Sequence, residues 1–482
     1  MGEHVPNAIG VKDMETRGQG EGTRRAEMKK GCHIARIRAV QIPRPHALTP
    51  TRTRSAVGKT GLQPSSRIGT DIFTHQYVGM SPRFVPLLVG LMLLAGASRV
   101  AHAQTRSSPS PDSQHLGDQT SSILDDPFVR KTGTNGLDLL YGMQFEEAKA
   151  QFDKIDERYP DHPVGPFLKG LNLWWTIMLD LTDTTHDEAF IEQMNTVIER
   201  CNALLQEDPD HFDAALFKAA AHGFLSRLHS NRSRWWKTVR NGREAINYVQ
   251  KVEEVAPKRG DYVFGSGMYD YYVAVLSEEY TLSRAITWML PDGNKERGLR
   301  LLRETAANGR YVKTEAIYFL AKAHYLYEDD FGRSRKWVSK LREQHPDNPF
   351  FHVFEGRIYA RWGRWGRARQ IFRSVVERCE AGTAGYNTHM EEVAQLYLAR
   401  DRLYQDQYQE ALRRLTKLEQ LTSRDIEDTR YRMLGYLYQG MVYDALGRRD
   451  MAVSRYRTVL DMENAAGAHE DAREYLESPY EG

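Results

Sequence analysis

A chain of 482 residues with 66 Lys+Arg against 64 Asp+Glu carries a formal charge of +2, and that balance hides an asymmetry. Residues 1–103 hold 15 basic and 6 acidic residues, so the remainder has 51 and 58 and a net charge of −7, which excludes a general attraction for nucleic-acid phosphates. Of three cysteines only Cys201 and Cys379 follow residue 103; in an oxidising compartment they could pair, but their wide separation favours two buried thiols.

Residues 1–79 are rich in Arg, Gly, Pro and Thr and follow neither a helical nor a strand period. They read as an upstream extension assigned in error ahead of a true start at Met80. The alternative is a disordered basic tail, which would make the next segment an internal membrane anchor. That segment has a basic start, Met80-Ser-Pro-Arg83, an apolar run from Phe84 to Ala97, and Ala101-His-Ala103 before Gln104. These are the three parts of a secretory signal peptide, so cleavage is predicted after Ala103. The run is shorter than the roughly 20 apolar residues of a spanning helix, and Gln104 supplies no acceptor cysteine for a lipoprotein anchor. The expectation is an exported protein, periplasmic or secreted, with no membrane span after cleavage. Residues 104–132, rich in Ser, Pro, Asp and Gln, are expected to be a polar linker that cannot bury a core.

From 133 to 478 a helix-pair signature recurs. Its clearest copy is Gly440-Met-Val-Tyr443-Asp-Ala-Leu-Gly447-Arg-Arg-Asp-Met-Ala452-Val-Ser-Arg-Tyr456. A small residue and an aromatic on one helix, a tight turn, then Ala and an aromatic four apart on the next describe two helices packed closely where they cross. One such hairpin cannot bury its apolar face alone, so copies must stack. Gly136, Gly170, Gly223, Gly267, Ala321, Gly356, Ala399 and Gly440 mark the successive first helices, and Ala148/Phe152, Ala368/Phe372 and Ala411/Leu415 mark second helices. Pro160, Pro209, Pro257 and Pro346 stand where helices must stop. About eight helix pairs are expected, with the second to fourth ten to twenty residues too long and Asp270 standing where an aromatic belongs.

This pattern resembles the tetratricopeptide repeat family, whose 34-residue unit has small residues at its eighth and twentieth positions and a closing proline. The resemblance implies an all-α fold, a right-handed α-solenoid of stacked antiparallel helix pairs. It also implies a concave groove lined by first-helix residues one, four and five places after the crossing residue. Carried onto this chain, the groove is Leu171, Trp174 and Trp175; Met268, Tyr271 and Tyr272; Lys322, Tyr325 and Leu326; Arg357, Ala360 and Arg361; Arg400 and Tyr404; and Met441 and Asp444. It would be aromatic in its first half and basic later, suiting a peptide with acidic groups. Arg357 and Arg361 are expected to be exposed, because arginine is expensive to bury.

No phosphate loop, Cys-x-x-Cys, Gly-x-Ser-x-Gly or His-Glu-x-x-His follows residue 103. Asp180, Asp183, His186 and Asp187 could ligate a metal, but Thr185-His-Asp-Glu188 reads better as a capping box. Asp208-Pro-Asp210-His211-Phe-Asp213 has the acids of a calcium loop without its glycine or closing glutamate and reads as an inter-repeat turn. The sequence therefore predicts an exported adaptor or scaffold, not an enzyme, with no cofactor and no metal, binding a protein or peptide. The alternative is an envelope-assembly or glycan-handling factor whose Trp174, Trp175, Tyr271 and Tyr272 stack on sugar rings.

Overall fold

The structure is a computed structural model that describes residues 122–255, 260–279, 292–423 and 429–482. The start at Met80, the signal peptide and the extension before it lie outside the described residues, as does Pro257. Among the described residues the chain forms seventeen α-helices, two short 3-10 turns and no strand.

The first pair is α1 (Pro127–Tyr141) and α2 (Phe145–Arg158), the second α3 (Val164–Leu179) and α4 (Asp187–Glu207). Then come α5 (Phe212–Asn231) with α6 (Trp235–Val255), and α7 (Phe264–Glu279) with α8 (Lys295–Asn308). The regular half contains α9 (Lys313–Leu326) with α10 (Phe331–Gln344), and α11 (Pro349–Arg361) with α12 (Trp365–Glu380). Two further pairs follow, α13 (Thr388–Leu403) with α14 (Tyr408–Thr422) and α15 (Arg430–Ala445) with α16 (Arg449–Asp461), before a single helix, α17 (Ala468–Glu477). Consecutive helices pack on one another throughout, so the fold is an all-α solenoid of helix pairs.

Each residue read as a crossing mark lies on a first helix. A Cβ added at Gly136 would fall closer than 3.0 Å to the Phe152 ring, at Gly356 to Phe372, at Gly440 to Tyr456, and at Gly170 to Met194. Facing them, Ala148, Ala368 and Ala452 are fully buried. The turn joining the two helices repeats too: Met143, Ser233, Asp329, Gly363, Asp406 and Gly447 all take positive φ, and their shared position shows that the hairpin geometry imposes the left-handed residue even where it is not glycine.

Two middle pairs depart from this scheme. Around Gly223 there is open space, and the pair closes further along, where Ser226 Oγ donates to the Thr238 carbonyl at 2.9 Å and Gly242 faces Ser226. In the fourth pair Gly267 meets Gly298, whose Cβ would sit within 3.0 Å of the Tyr271 backbone nitrogen. The surplus length of the second and third units is absorbed by longer helices: α4, α5 and α6 have 21, 20 and 21 residues, against 13 to 16 for the other paired helices.

The array begins earlier than the expected linker boundary. Asp126 caps α1, its carboxylate accepting from the Phe128 and Val129 amides at 2.9 Å, and Pro127 occupies the first helical position. Before it, Ser122 Oγ donates to the buried Asp213 carboxylate at 2.5 Å, and the Ile123 amide does so at 2.6 Å. Residues 122–132 are therefore part of the packed structure.

Contacts also link pairs far apart in sequence. Trp175 of α3 sets its edge against Tyr141 of α1 and against Phe350 and Phe351 of α11, with ring centroids 5.3, 5.8 and 5.6 Å apart. Asn348 donates to the Tyr141 carbonyl at 3.1 Å, and the Tyr141 hydroxyl donates to Glu315 of α9. Burial raises the Glu315 carboxyl to about 7 despite that phenol and Trp175 favouring its charged form. No described helix is long and apolar enough to cross a membrane.

Candidate partner-binding surfaces

The residues predicted to line an open groove form, instead, the seam between first helices. Trp174, Trp175, Tyr271 and Tyr325 are buried at 3%, 4%, 0% and 2% exposure. Trp174 packs on Phe190 and Phe224, with the Arg227 guanidinium 4.9 Å from its ring. Tyr271 donates its hydroxyl to Glu328 at 2.8 Å, and Tyr272 stands edge-on to Tyr271, Tyr327 and Phe319. With their faces covered, these rings offer no platform for a sugar.

The predicted cations are buried as well, contrary to the expectation that arginine stays outside. Arg357 is 4% exposed and donates to the Tyr431 hydroxyl at 2.7 Å. The Arg361 guanidinium lies 5.0 Å from the Tyr325 ring and pairs with Asp329 at 2.9 Å. Arg400 sits between 5.5 and 5.7 Å from the rings of Trp365, Tyr397, Tyr404 and Tyr438 and donates to the Tyr404 hydroxyl. Aromatic faces stabilise a guanidinium where water cannot, which is how the seam tolerates these charges. Lys322 is 5% exposed, and its burial, with Arg227 nearby, pushes its ammonium well below the usual lysine range. Asp444 accepts from Arg449, from Tyr456 and from the Tyr480 amide. It joins the last pair to the residues beyond α17.

Neither candidate metal cluster assembles among the described residues. Nor does the predicted capping box form: Thr185 turns its hydroxyl to Asp183 at 2.6 Å, and α4 starts at Asp187, after His186, without a side-chain cap. Asp187 is bound by Arg232 at 2.7 and 2.8 Å, so tertiary pairing replaces local capping. The 208–213 segment is the expected turn, its His211 capping α5 through the Ala214 amide. Cys201 is buried, Cys379 half-buried, and they are not paired; burial pushes both thiols up to about 12. A cleft of about 470 Å³ opens between α1 and the turns preceding α9 and α11. Its walls mix Arg310 and Lys313 with Asp138 and Asp347.

Exposed positive charge lies instead on second helices, where Lys340 and Arg364 rest on the Trp337 and Trp362 rings and Arg367 donates to Gln370. On α10 and α12, Lys336, Lys340, Arg367 and Arg373 are exposed, as is Arg364 just before α12, and no described carboxylate is within ion-pair distance of them. The two helices flank Glu355 of α11, which pairs with Arg342 at 3.6 Å and feels Arg335 and Arg367. Their own carboxylates, Glu343, Glu377 and Glu380, stand in the last turns, leaving the earlier turns basic. Helical spacing of Lys and Arg on the solvent side of a second helix was the available sequence signal. The family's groove positions drew attention to the other face.

No family model matches the sequence, and no curated protein matches it. Among solved structures, similarity is found to a human IFIT1 dimer with PPP-AAAA, at 13% identity over 66% of this chain and 69% of that one, TM-score 0.34. An IFIT1 monomeric mutant with Gppp-AAAA is 16% identical over 73% and 88%, TM-score 0.35. The P58(IPK) TPR domain is 15% identical over 72% and 97%, TM-score 0.20.

Proposed function

We propose that this chain is an exported, non-catalytic scaffold that binds an acidic protein partner on the outer faces of α10 and α12. Export rests on the three-part pattern at residues 80–103. The observation that supports the binding face is the contrast between first helices, whose predicted groove residues already contact one another, and a second-helix face with five exposed cations that no described carboxylate neutralises at ion-pair distance. Exposed charge costs little to hold in water and attracts an acidic surface until salt screens it, over about 8 Å at physiological ionic strength.

The test compares capture of envelope proteins by the wild-type chain and by a variant with Lys336, Lys340, Arg364, Arg367 and Arg373 all changed to Glu. The expected result is a salt-sensitive, acidic partner retained by the wild type and lost by the variant, with thermal melts unchanged. An unchanged captured set in the folded variant refutes the assignment. Arg357→Glu serves as the contrast, since a buried reversal is expected to lower the melting temperature outright.

A further inference from the structure

The start of α6 carries two features that work against its own folding. Trp236 is 57% exposed, one of two large hydrophobic side chains left in solvent among the described residues. Burial of an indole is among the most favourable contributions a side chain makes to folding, and here it is forgone. Around it stand Arg234, Lys237, Arg240 and Arg243, spaced three apart and all exposed. No described carboxylate is within ion-pair distance of Arg234, Lys237 or Arg240. A helix N-terminus is the positive end of the helix dipole, so cations in its first turns are repelled where acids would be stabilised. Their field reaches the neighbouring helix: burial, then Lys237 and Arg234, hold His229 below the usual histidine range.

We propose that the N-terminal end of α6 docks on an anionic lipid bilayer, with Trp236 entering the interfacial layer and Arg234 of the preceding turn, Lys237 and Arg240 meeting the headgroup phosphates. Charge complementarity and the lone projecting indole together favour that occupant. Tryptophan partitions to the headgroup level, where its ring is buried while its N–H stays hydrogen-bonded. Lysine and arginine extend beside it to the phosphates. A single-stranded nucleic acid would need several stackable rings along a channel. Trp236 is the one exposed ring of this stretch, its neighbour Trp235 being half-buried. The site is distinct from the α10 and α12 face and does not depend on it.

The experiment is flotation of the full chain with vesicles of phosphatidylcholine alone or mixed with phosphatidylglycerol, repeated with brominated lipid to quench tryptophans that enter the bilayer. Binding is expected to require phosphatidylglycerol and to weaken with salt. Arg234→Gln, Lys237→Gln and Arg240→Gln together are expected to reduce it about a hundredfold, at roughly fivefold per cation. Bromine quenching is expected to disappear in Trp236→Leu, while the α10 and α12 charge reversals leave both readouts intact. Equal binding to phosphatidylcholine, full binding by the triple variant, or quenching that survives Trp236→Leu would each overturn the proposal. So would preferential binding of an oligonucleotide or an acidic protein through the same three cations.

Discussion

The sixth and eighth pairs close on a glycine pressed against an aromatic ring, whereas the third pair carries a glycine in the same sequence position with nothing near it. In the regular half, helices of 13 to 16 residues bring Gly356 and Gly440 to the point of closest approach. In the third pair, helices of 20 and 21 residues move that point along to Ser226 and Gly242, and Gly223 is left at an open stretch. A small residue at a repeat position thus specifies a crossing only where helix length keeps the phase.

The strongest way to break this comparison is to fill both kinds of glycine. Gly440→Leu and Gly356→Leu are expected to destabilise the array by about 1–3 kcal/mol or more each, because the facing Tyr456 and Phe372 rings must move. Denaturant melts read this directly. If either variant melts like the wild type, close approach does not hold the pairs together. The next effect lies in the seam. Glu315 is held to about 7 by burial, so between its ordinary value and 7 the folded chain binds more protons than the unfolded one. Its contribution to stability therefore falls as pH rises through that window. Glu315→Gln is expected to flatten that part of the stability-against-pH curve, measured by melts from pH 4 to 8, and a slope unchanged from wild type would contradict the burial argument. The smallest effect has the opposite sign. Gly223→Ala meets no atom and replaces a flexible residue inside a helix, so it is expected to stabilise by about 0.5–1 kcal/mol. A loss of stability there would erase the distinction between the two regions.

Much of the fold was legible because helix pairing is a local matter. Gly136, Gly356 and Gly440 with Phe152, Phe372 and Tyr456 lie 16 residues apart in each case, close enough for one period to declare both. The groove was not legible, because whether Trp175 faces solvent depends on Phe350 and Phe351, some 175 residues away. Likewise Arg357 looked exposed for want of its partner Tyr431, and Arg400 for want of the rings that enclose it. Thr185 was read as a cap from its four-residue context, but the buried pairing of Asp187 with Arg232 decides how α4 starts.

The contacts that fill the seam also alter how this array comes apart. A solenoid whose units touch only their neighbours has low contact order and can fray from an end, each lost unit weakening only the next. Here Tyr141 and Leu179 near the start accept from Asn348 and Asn387 far down the chain. Loss of the first pairs strips surface from pairs in the regular half. Unfolding then behaves less like the peeling of a row and more like the failure of a single cooperative unit, and refolding must wait for distant segments to meet.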